Sequence, residues 1–261
     1  MIKYPPKKTI HYIKKFFRQK GLYKLVNAAE EKSLKTNELI KKQSYKPELI
    51  DLYNLYQFIV KNKRITSLEF GCGWSSLVIA LALKENKKNF KNEIKNLRRN
   101  NLFQNFIVDN EKKYIEIAKK RIKNFDKNLL KNNFFLYSQV KLTKYDFRYV
   151  TEYNQIPQIN PDFIYLDGPD QFKIIGHDKF NINHKDLAPM AADILKIEFF
   201  LNPGTIILID GRALNCNFLK RYLKRNWTYR YLKSYDQHIL YLNEQINGVH
   251  SKNLLNFFNK N

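Results

Sequence analysis

Four chemistry-bearing segments in this 261-residue chain each come at the end of a short apolar run. They are Glu69-Phe70-Gly71-Cys72-Gly73, then Asp109, Asp167 and Asp210. Apolar runs bounded by turn residues predict buried parallel strands, whose carboxyl ends meet in a ligand-binding crevice. Glycines at such an end let backbone amides approach a ligand closely, and a carboxylate at the next strand end can accept hydrogen bonds from both hydroxyls of a ribose. The spacing therefore favours a ribose-containing ligand.

Two alternatives stay open for this pattern. Asp109 lies 38 positions after Gly71, where about 20 is usual, and the Lys/Asn-rich residues 88–103 account for the excess as an insertion. The alternative role of Asp109 is the N-cap of the following helix. A dinucleotide-binding loop needs a third glycine where this chain has Ser76, which disfavours an NAD-dependent oxidoreductase.

The elements that position these residues follow from hydrophobic periodicity, which predicts an α/β fold with a Rossmann-like doubly wound sheet. The sheet is expected to be mostly parallel with a C-terminal antiparallel hairpin, and helices are expected at the N-terminus. The predicted strands are 65–70, 106–109, 134–138, 163–167, 205–210, 227–232 and 238–242; the predicted helices are 48–60, 75–87, 111–124, 188–201 and 213–225. We expect a basic N-terminal extension (1–46), a main domain (47–244, with the insertion 88–103) and a C-terminal tail (245–261).

Residues 68–75, Leu-Glu-Phe-Gly-Cys-Gly-Trp-Ser, resemble motif I of the class I S-adenosylmethionine-dependent methyltransferases, an acidic residue, any residue and then Gly-x-Gly. The resemblance covers roughly residues 47–244 and implies S-adenosylmethionine as the cofactor. It implies that the two glycines line the methionine portion and that Asp109 binds the ribose. The cofactor residues that it implies are Glu69, Gly71, Gly73, Ser75 and Asp109; Ser138, at the end of the predicted strand 134–138, is expected near the adenine by its position only.

Residues 162–169 and 207–212 resemble the bacterial small-molecule and sugar O-methyltransferases related to catechol O-methyltransferase. In the metal-dependent members of that group, aspartates at two strand ends and an Asn or Asp after the second hold Mg²⁺. Asp167 and Asp210 match two of these positions, but Gly211 stands at the third, so the metal stays unknown.

Methyl transfer to a hydroxyl requires a group that removes the proton from the acceptor. Asp167 and His177 are the candidate bases, and Asp210 completes the set of catalytic candidates. The alternatives are that His177 is a surface loop residue and that the two aspartates cap turns or helices. A small molecule or glycan precursor is the expected acceptor.

The net charge of +23, from 47 Lys and Arg against 24 Asp and Glu, is unevenly distributed. Residues 1–64 hold 16 basic and 5 acidic side chains, whereas residues 151–210 hold 4 and 9. If the segment that carries the candidate catalytic residues bound nucleic acid, it would be expected to hold an excess of basic side chains instead. The Asp/Asn-Pro-Pro-aromatic motif of RNA base methylation is also absent. An RNA methyltransferase, or a non-catalytic protein that binds a membrane surface or partner through its basic N-terminus, remains an alternative.

Cysteine usage indicates the compartment. Cys72 and Cys216 form no spaced disulfide framework and no zinc pattern. The first residues lack the continuous apolar segment of a secretory signal. We therefore expect a cytoplasmic protein with reduced thiols.

Overall fold

The computed structural model describes residues 2–30, 46–170, 174–176, 180, 189–245 and 247–260. The strands, in chain order, are β1 (Thr66–Phe70), β2 (Gln104–Asp109), β3 (Asn133–Tyr137), β4 (Val140–Tyr145), β5 (Arg148–Tyr153), β6 (Phe163–Leu166), β7 (Ile174–Ile175), β8 (Met190–Ala191), β9 (Ile206–Asp210), β10 (Trp227–Leu232) and β11 (Gln237–Leu242). The α-helices are α1 (Ile10–Gln19), α2 (Tyr23–Glu30), α3 (Leu49–Lys61), α4 (Trp74–Phe90), α5 (Lys112–Phe125), α6 (Asp193–Ile197), α7 (Ala213–Tyr222) and α8 (Val249–Asn259). In this described part of the chain, no helix combines the length and the apolar character needed to cross a membrane.

Seven strands form the central sheet in the order β3-β2-β1-β6-β9-β11-β10. The first five of these are parallel, β11 is antiparallel to β9, and β10 is antiparallel to β11. The chain runs outward from β1 to β3 and then returns to β6 on the other side of β1. The crevice between the carboxyl ends of β1 and β6 is therefore a topological switch point, where sheets of this kind bind ligands. The predicted Rossmann-like fold with its closing hairpin and N-terminal helices is confirmed.

Apolar side chains cover both faces of the sheet. On one face, α3 and α4 pack with residues from both ends of the chain, such as Phe17 of α1 and Phe258 of α8, in a single hydrophobic cluster. Helix α1 begins after Thr9, whose hydroxyl accepts a hydrogen bond from the backbone N–H of Tyr12 at 3.3 Å, and buries Ile13 and Phe17 on one side. The division into residues 1–46, 47–244 and 245–261 stays a prediction, although side chains from all three parts share this cluster.

The opposite face shows the main departure from the predicted elements. A hairpin of β4 and β5 follows β3, and its two-residue turn at Asp146 and Phe147 has positive φ at both positions (47° and 63°), as a type I′ turn requires. With β7 and β8 the hairpin forms a second, four-stranded sheet. This small sheet, together with α6 and α7, packs on the central sheet.

The predicted helix 188–201 is wrong over its first part. Residue 188 lies outside the described residues, and Met190–Ala191 form β8, which pairs with Val150 and Thr151 of β5. The helix begins only at Asp193 because the Ala191 backbone N–H is bound to the Asn215 side chain at 2.7 Å and the Asp193 carboxylate accepts a hydrogen bond from the Tyr153 backbone. Tertiary hydrogen bonds thus override the local helical pattern.

Two further stretches are more ordered than their polar composition indicated. Within residues 88–103, α4 continues to Phe90 and a 3-10 helix covers Glu93–Asn96, where Ile94 is buried. Within the predicted tail, α8 packs its phenylalanines into the core.

A buried ion pair aligns the amino ends of β1 and β6. The Asp162 carboxylate accepts hydrogen bonds from the backbone N–H groups of Ile65 (2.9 Å) and Thr66 (3.2 Å) and from the Arg99 guanidinium (3.0 Å). Both charged side chains are almost fully buried, at 1% and 7% exposure. Because β1 and β6 start from this shared point, their other ends, which carry the candidate site, finish level with each other.

Replacing Asp162 by alanine is expected to destabilise the protein by about 3–5 kcal/mol, because a buried guanidinium and two amides lose their partner. Denaturant unfolding measures this loss. The control is Lys84→Ala, which breaks the exposed Lys84–Asp126 pair (2.7 Å) and should cost less than about 1 kcal/mol. Equal small losses in the two variants would contradict the role given to Asp162.

Candidate active site at the strand ends

The loops that follow β1 and β6 lie directly against each other. The backbone N–H groups of Asp167 and Gly168 both donate to the Phe70 carbonyl, at 3.0 and 2.6 Å. Gly71 has φ +87°, and a Cβ atom on it would lie 2.8 Å from the Gly168 nitrogen. Gly73 differs, because its φ of −174° is extended and a Cβ there would meet only the Ser75 hydroxyl at 3.8 Å. Position 71 therefore requires glycine, whereas position 73 can accept a larger residue.

Glu69, near the end of β1, is fully buried and is held from two sides. Its carboxyl oxygens accept hydrogen bonds from the Ser75 hydroxyl at 2.6 Å and the Asn105 side chain at 3.3 Å. Burial raises the pKa of Glu69 to about 8, although the hydrogen bonds from Ser75, Ser76 and Asn105 oppose the shift. Ser76, which stands at the third glycine position of a dinucleotide loop, also accepts the Gly73 N–H at 3.3 Å and so helps to start α4. Glu69 and Ser75 thus brace the glycine loop from behind.

Asp109 ends β2 and lies beside the glycine loop. One carboxylate oxygen accepts the Cys72 N–H at 2.8 Å and the other accepts the Glu111 N–H at 2.7 Å. The N-cap of α5 is Glu111, so Asp109 itself does not hold that position. Burial raises the pKa of Asp109, with the two backbone hydrogen bonds opposing. The Cys72 side chain also hydrogen-bonds to this carboxylate, so ribose hydroxyls would take up the remaining acceptor capacity and replace this weak thiol donor.

Ser138 lies one residue beyond β3, next to the same strand end. Its backbone N–H donates to the Asp109 carbonyl at 3.0 Å, and its hydroxyl accepts the Gln155 N–H at 2.8 Å. Ser138 therefore joins the end of β3 to the segment that leaves the β4–β5 hairpin.

Asp167 and Asp210 follow or end the neighbouring strands β6 and β9. Asp167 is solvent-exposed within the crevice, yet its low-dielectric surroundings and the nearby Asp210 carboxylate raise its pKa to about 7. Asp210 accepts the Tyr165 hydroxyl at 2.7 Å and the Gln237 amide at 3.3 Å. Arg212 donates to the carbonyls of Gly168 and Pro169, at 2.9 and 2.6 Å, and so fixes the loop after β6. The crevice thus holds Asp167, whose pKa is raised to about 7, beside Asp210, whose carboxylate is fixed by Tyr165 and Gln237.

The structure places two polar residues of α3, Asp51 and Asn54, next to the site, and the sequence patterns did not single them out. Gln237 donates to the Asp51 carbonyl at 3.4 Å and accepts from the Asn54 amide at 3.3 Å. Burial and repulsion from Asp210 and Glu48 raise the pKa of Asp51. Asp51 and Asn54 stand at i,i+3 spacing in a helix that is otherwise largely apolar on that side, which is the sequence signal that marks them.

In the part of the chain that the structure describes, the donor set for a metal is incomplete. Within the described residues, no group of three or more His, Cys, Asp or Glu side chains is arranged to hold a metal ion. Asp167 and Asp210 could supply two carboxylate ligands to Mg²⁺, but Gly211 has no side chain to supply the third ligand. Among the described residues, this arrangement therefore lacks one protein ligand of the magnesium site found in the metal-dependent O-methyltransferases that residues 162–169 and 207–212 resemble. His177, the third catalytic candidate, lies outside the described residues.

Comparison with known proteins identifies the fold. No protein-family profile and no curated protein sequence matches the chain. The ligand-free structure of a TDP-rhamnose 3'-O-methyltransferase from calicheamicin biosynthesis aligns with a TM-score of 0.50 at 13% identity, over 92% of this chain and 97% of the other. An O-methyltransferase from Bacillus cereus in complex with SAH aligns with a TM-score of 0.44 at 11% identity, over 89% and 97%. At 13% identity, the similarity to the TDP-rhamnose 3'-O-methyltransferase shows that the two chains share the Rossmann-like α/β fold.

The contrast between the two glycines is testable. Gly71→Ala would force a side chain into the contact with Gly168 at an unfavourable φ, and we expect a loss of about 1–3 kcal/mol in stability. Gly73→Ala is the matched control and should change stability by less than about 1 kcal/mol. Thermal unfolding of both variants measures the difference. Equal stability of the two variants would mean that the loops after β1 and β6 are not in the close contact described.

Proposed function

We propose that this protein is an S-adenosylmethionine-dependent methyltransferase that methylates a hydroxyl of a small molecule or a sugar precursor. The observation that carries the proposal is the meeting of three features at one switch point: the Gly71 loop, the Asp109 carboxylate and the titratable Asp167. The fold shared with a sugar O-methyltransferase supports it. Such a reaction needs three things from the protein: a loop that admits the cofactor, a carboxylate that binds its ribose hydroxyls, and a base that removes the proton from the methyl acceptor.

The cofactor half of the site is formed by the ends of β1 and β2. Asp109 would accept hydrogen bonds from the ribose hydroxyls with the acceptor capacity that the Cys72 and Glu111 backbone leaves, in place of the Cys72 thiol. The backbone around Gly71, where no side chain intervenes, would receive the amino-acid portion. When bound, the cofactor supplies a methyl group on a sulfonium, whose departure as a neutral thioether needs no acid from the protein.

The acceptor half is formed by the ends of β6 and β9. A pKa of about 7 leaves a large fraction of Asp167 ionised at neutral pH and still basic enough to take a proton from an acceptor hydroxyl. Asp210, immobilised by Tyr165 and Gln237, would orient that acceptor through its remaining lone pairs. His177 remains the alternative base.

The electrostatics of the crevice favour a hydroxylated acceptor over a nucleic acid. Among the described residues, the carboxyls of Asp51, Asp167 and Asp210 lie near one another, and Arg212 is occupied with loop carbonyls. A phosphate backbone would be repelled there, so the RNA methyltransferase alternative is not favoured. A cytoplasmic location accords with the free thiols of Cys72 and Cys216.

Calorimetric titration with S-adenosylhomocysteine tests the cofactor site. The wild type should bind, and Asp109→Asn should weaken binding by about tenfold or more, because charge-assisted hydrogen bonds are worth roughly 1.5–3 kcal/mol. Glu116→Ala, which removes an exposed carboxylate of α5, is the control and should bind like the wild type. Absence of binding to the wild type would end the proposal, and binding of NADH instead would support an oxidoreductase.

The pH dependence of turnover tests Asp167. Only the ionised carboxylate can accept a proton, so kcat/KM should rise as the pH increases through about 7. With radiolabelled S-adenosylmethionine and a panel of nucleotide sugars and phenols, Asp167→Asn should lower kcat by about 10²–10⁴-fold while cofactor affinity stays within about threefold. Wild-type turnover in Asp167→Asn would exclude it as the base, and an unchanged pH profile at reduced rate would point to another group such as His177.

A further inference from the structure

Strands β1 and β2 carry three polar side chains on the side of the sheet that α4 covers. Ser67 of β1 lies opposite Asn105 of β2 in the parallel register, and Glu69 follows two residues after Ser67 on the same side of β1. All three residues are fully buried. Buried polar groups reduce stability unless each of them has a partner, so such a set in the middle of a sheet needs a reason.

The three side chains form one continuous chain of hydrogen bonds. The Ser67 hydroxyl donates to the Asn105 side-chain oxygen at 2.7 Å, and the Asn105 amide nitrogen donates to a Glu69 carboxyl oxygen at 3.3 Å. Because Ser67 engages its oxygen, the Asn105 amide turns its N–H donor towards Glu69. Both polar ends of Asn105 therefore have a defined partner.

The other carboxyl oxygen of Glu69 connects this chain to the glycine loop. It accepts the Ser75 hydroxyl at 2.6 Å, and Ser75 lies in the first turn of α4, two residues after Gly73. The terminal torsion of a glutamate side chain has broad minima, so one hydrogen bond does not fix the plane of the carboxyl group. Asn105 supplies the second contact. The direction in which Glu69 presents an oxygen to α4 thus depends on a residue of β2.

Strand β2 therefore holds the glycine loop at two places. Asp109, at its end, accepts the Cys72 N–H directly at 2.8 Å. Asn105, four residues earlier, acts on the same loop through Glu69. We propose that Asn105 is a positioning residue for the cofactor site, which keeps residues 71–73 in their binding conformation by orienting Glu69. This inference rests on the proposed function.

Asn105→Leu tests this role, because leucine matches asparagine in size but lacks its hydrogen-bonding groups. The affinity for S-adenosylhomocysteine, measured by calorimetric titration, should fall by about three- to tenfold, the range for one neutral hydrogen bond. Trp74, the first residue of α4, gives a second measurement. The chain has two tryptophans, so Trp227→Phe leaves Trp74 as the reporter. In that background, Asn105→Leu should shift the fluorescence of the free protein to longer wavelength as the start of α4 loosens.

Asn86→Leu is the matched control. Asn86 is also fully buried, but its amide donates to the carbonyls of Ile59 and Arg64, at 3.0 and 2.8 Å, away from the glycine loop. Both substitutions should lower the melting temperature, because each removes buried hydrogen bonds. The loss of cofactor affinity and the fluorescence shift should be confined to Asn105→Leu.

Ser67→Ala is a milder variant, since it leaves Asn105 in place and removes only the hydroxyl that fixes its amide. It should weaken binding by a smaller factor, and it decides the question where Asn105→Leu does not fold. Wild-type affinity in the deciding variant, unchanged Trp74 fluorescence, or an equal loss of affinity in Asn86→Leu would overturn the inference and leave the proposed function intact. Failure of the wild type itself to bind would remove both.

Discussion

The contact between the loops after β1 and β6 is the constraint on which the candidate site depends. The Phe70 carbonyl receives two N–H groups from the β6 loop, and Gly71 and Gly168 approach more closely than side chains would allow. Asp162 aligns these strands at the opposite end. Because both ends are fixed, the distance from the glycine loop to Asp167 is set by the backbone, and the flanking strands β2 and β9 bring in their carboxylates by register alone.

The same arrangement gathers acidic groups where burial opposes their ionisation. Burial raises the pKa of Glu69 to about 8, and burial together with the Asp210 carboxylate raises that of Asp167 to about 7. Each such group favours the folded state when protonated, so its contribution is full below its unfolded pKa near 4 and is lost as the pH rises through its folded pKa. Carboxyl groups whose pKa values are raised in this way lower the stability of the folded state at neutral pH, and such groups are typical of functional sites.

The parallel strands and their terminal residues could be predicted from the sequence because short apolar runs, bounded by turn residues, define both the element and its end. The predicted strands did not include the β4–β5 hairpin. Its signals in the sequence are the alternate apolar residues Val140 and Leu142 and the turn at Asp146 and Phe147. Helix 188–201 was extended too far because the hydrogen bond between Ala191 and Asn215 is invisible to local patterns. The neighbours of Asp210 and the hydrogen bond from Asn105 to Glu69 depend on contacts distant in sequence, which spacing cannot supply.

The central claim is that the ends of β1 and β2 bind the nucleoside of S-adenosylmethionine. A crystal structure of the complex with S-adenosylhomocysteine tests it most directly. The account predicts both ribose hydroxyls within about 3.2 Å of the Asp109 carboxylate oxygens, with the amino-acid portion over Gly71. A ligand bound at another edge of the sheet, with Asp109 contacting only Cys72 and Glu111, would contradict it.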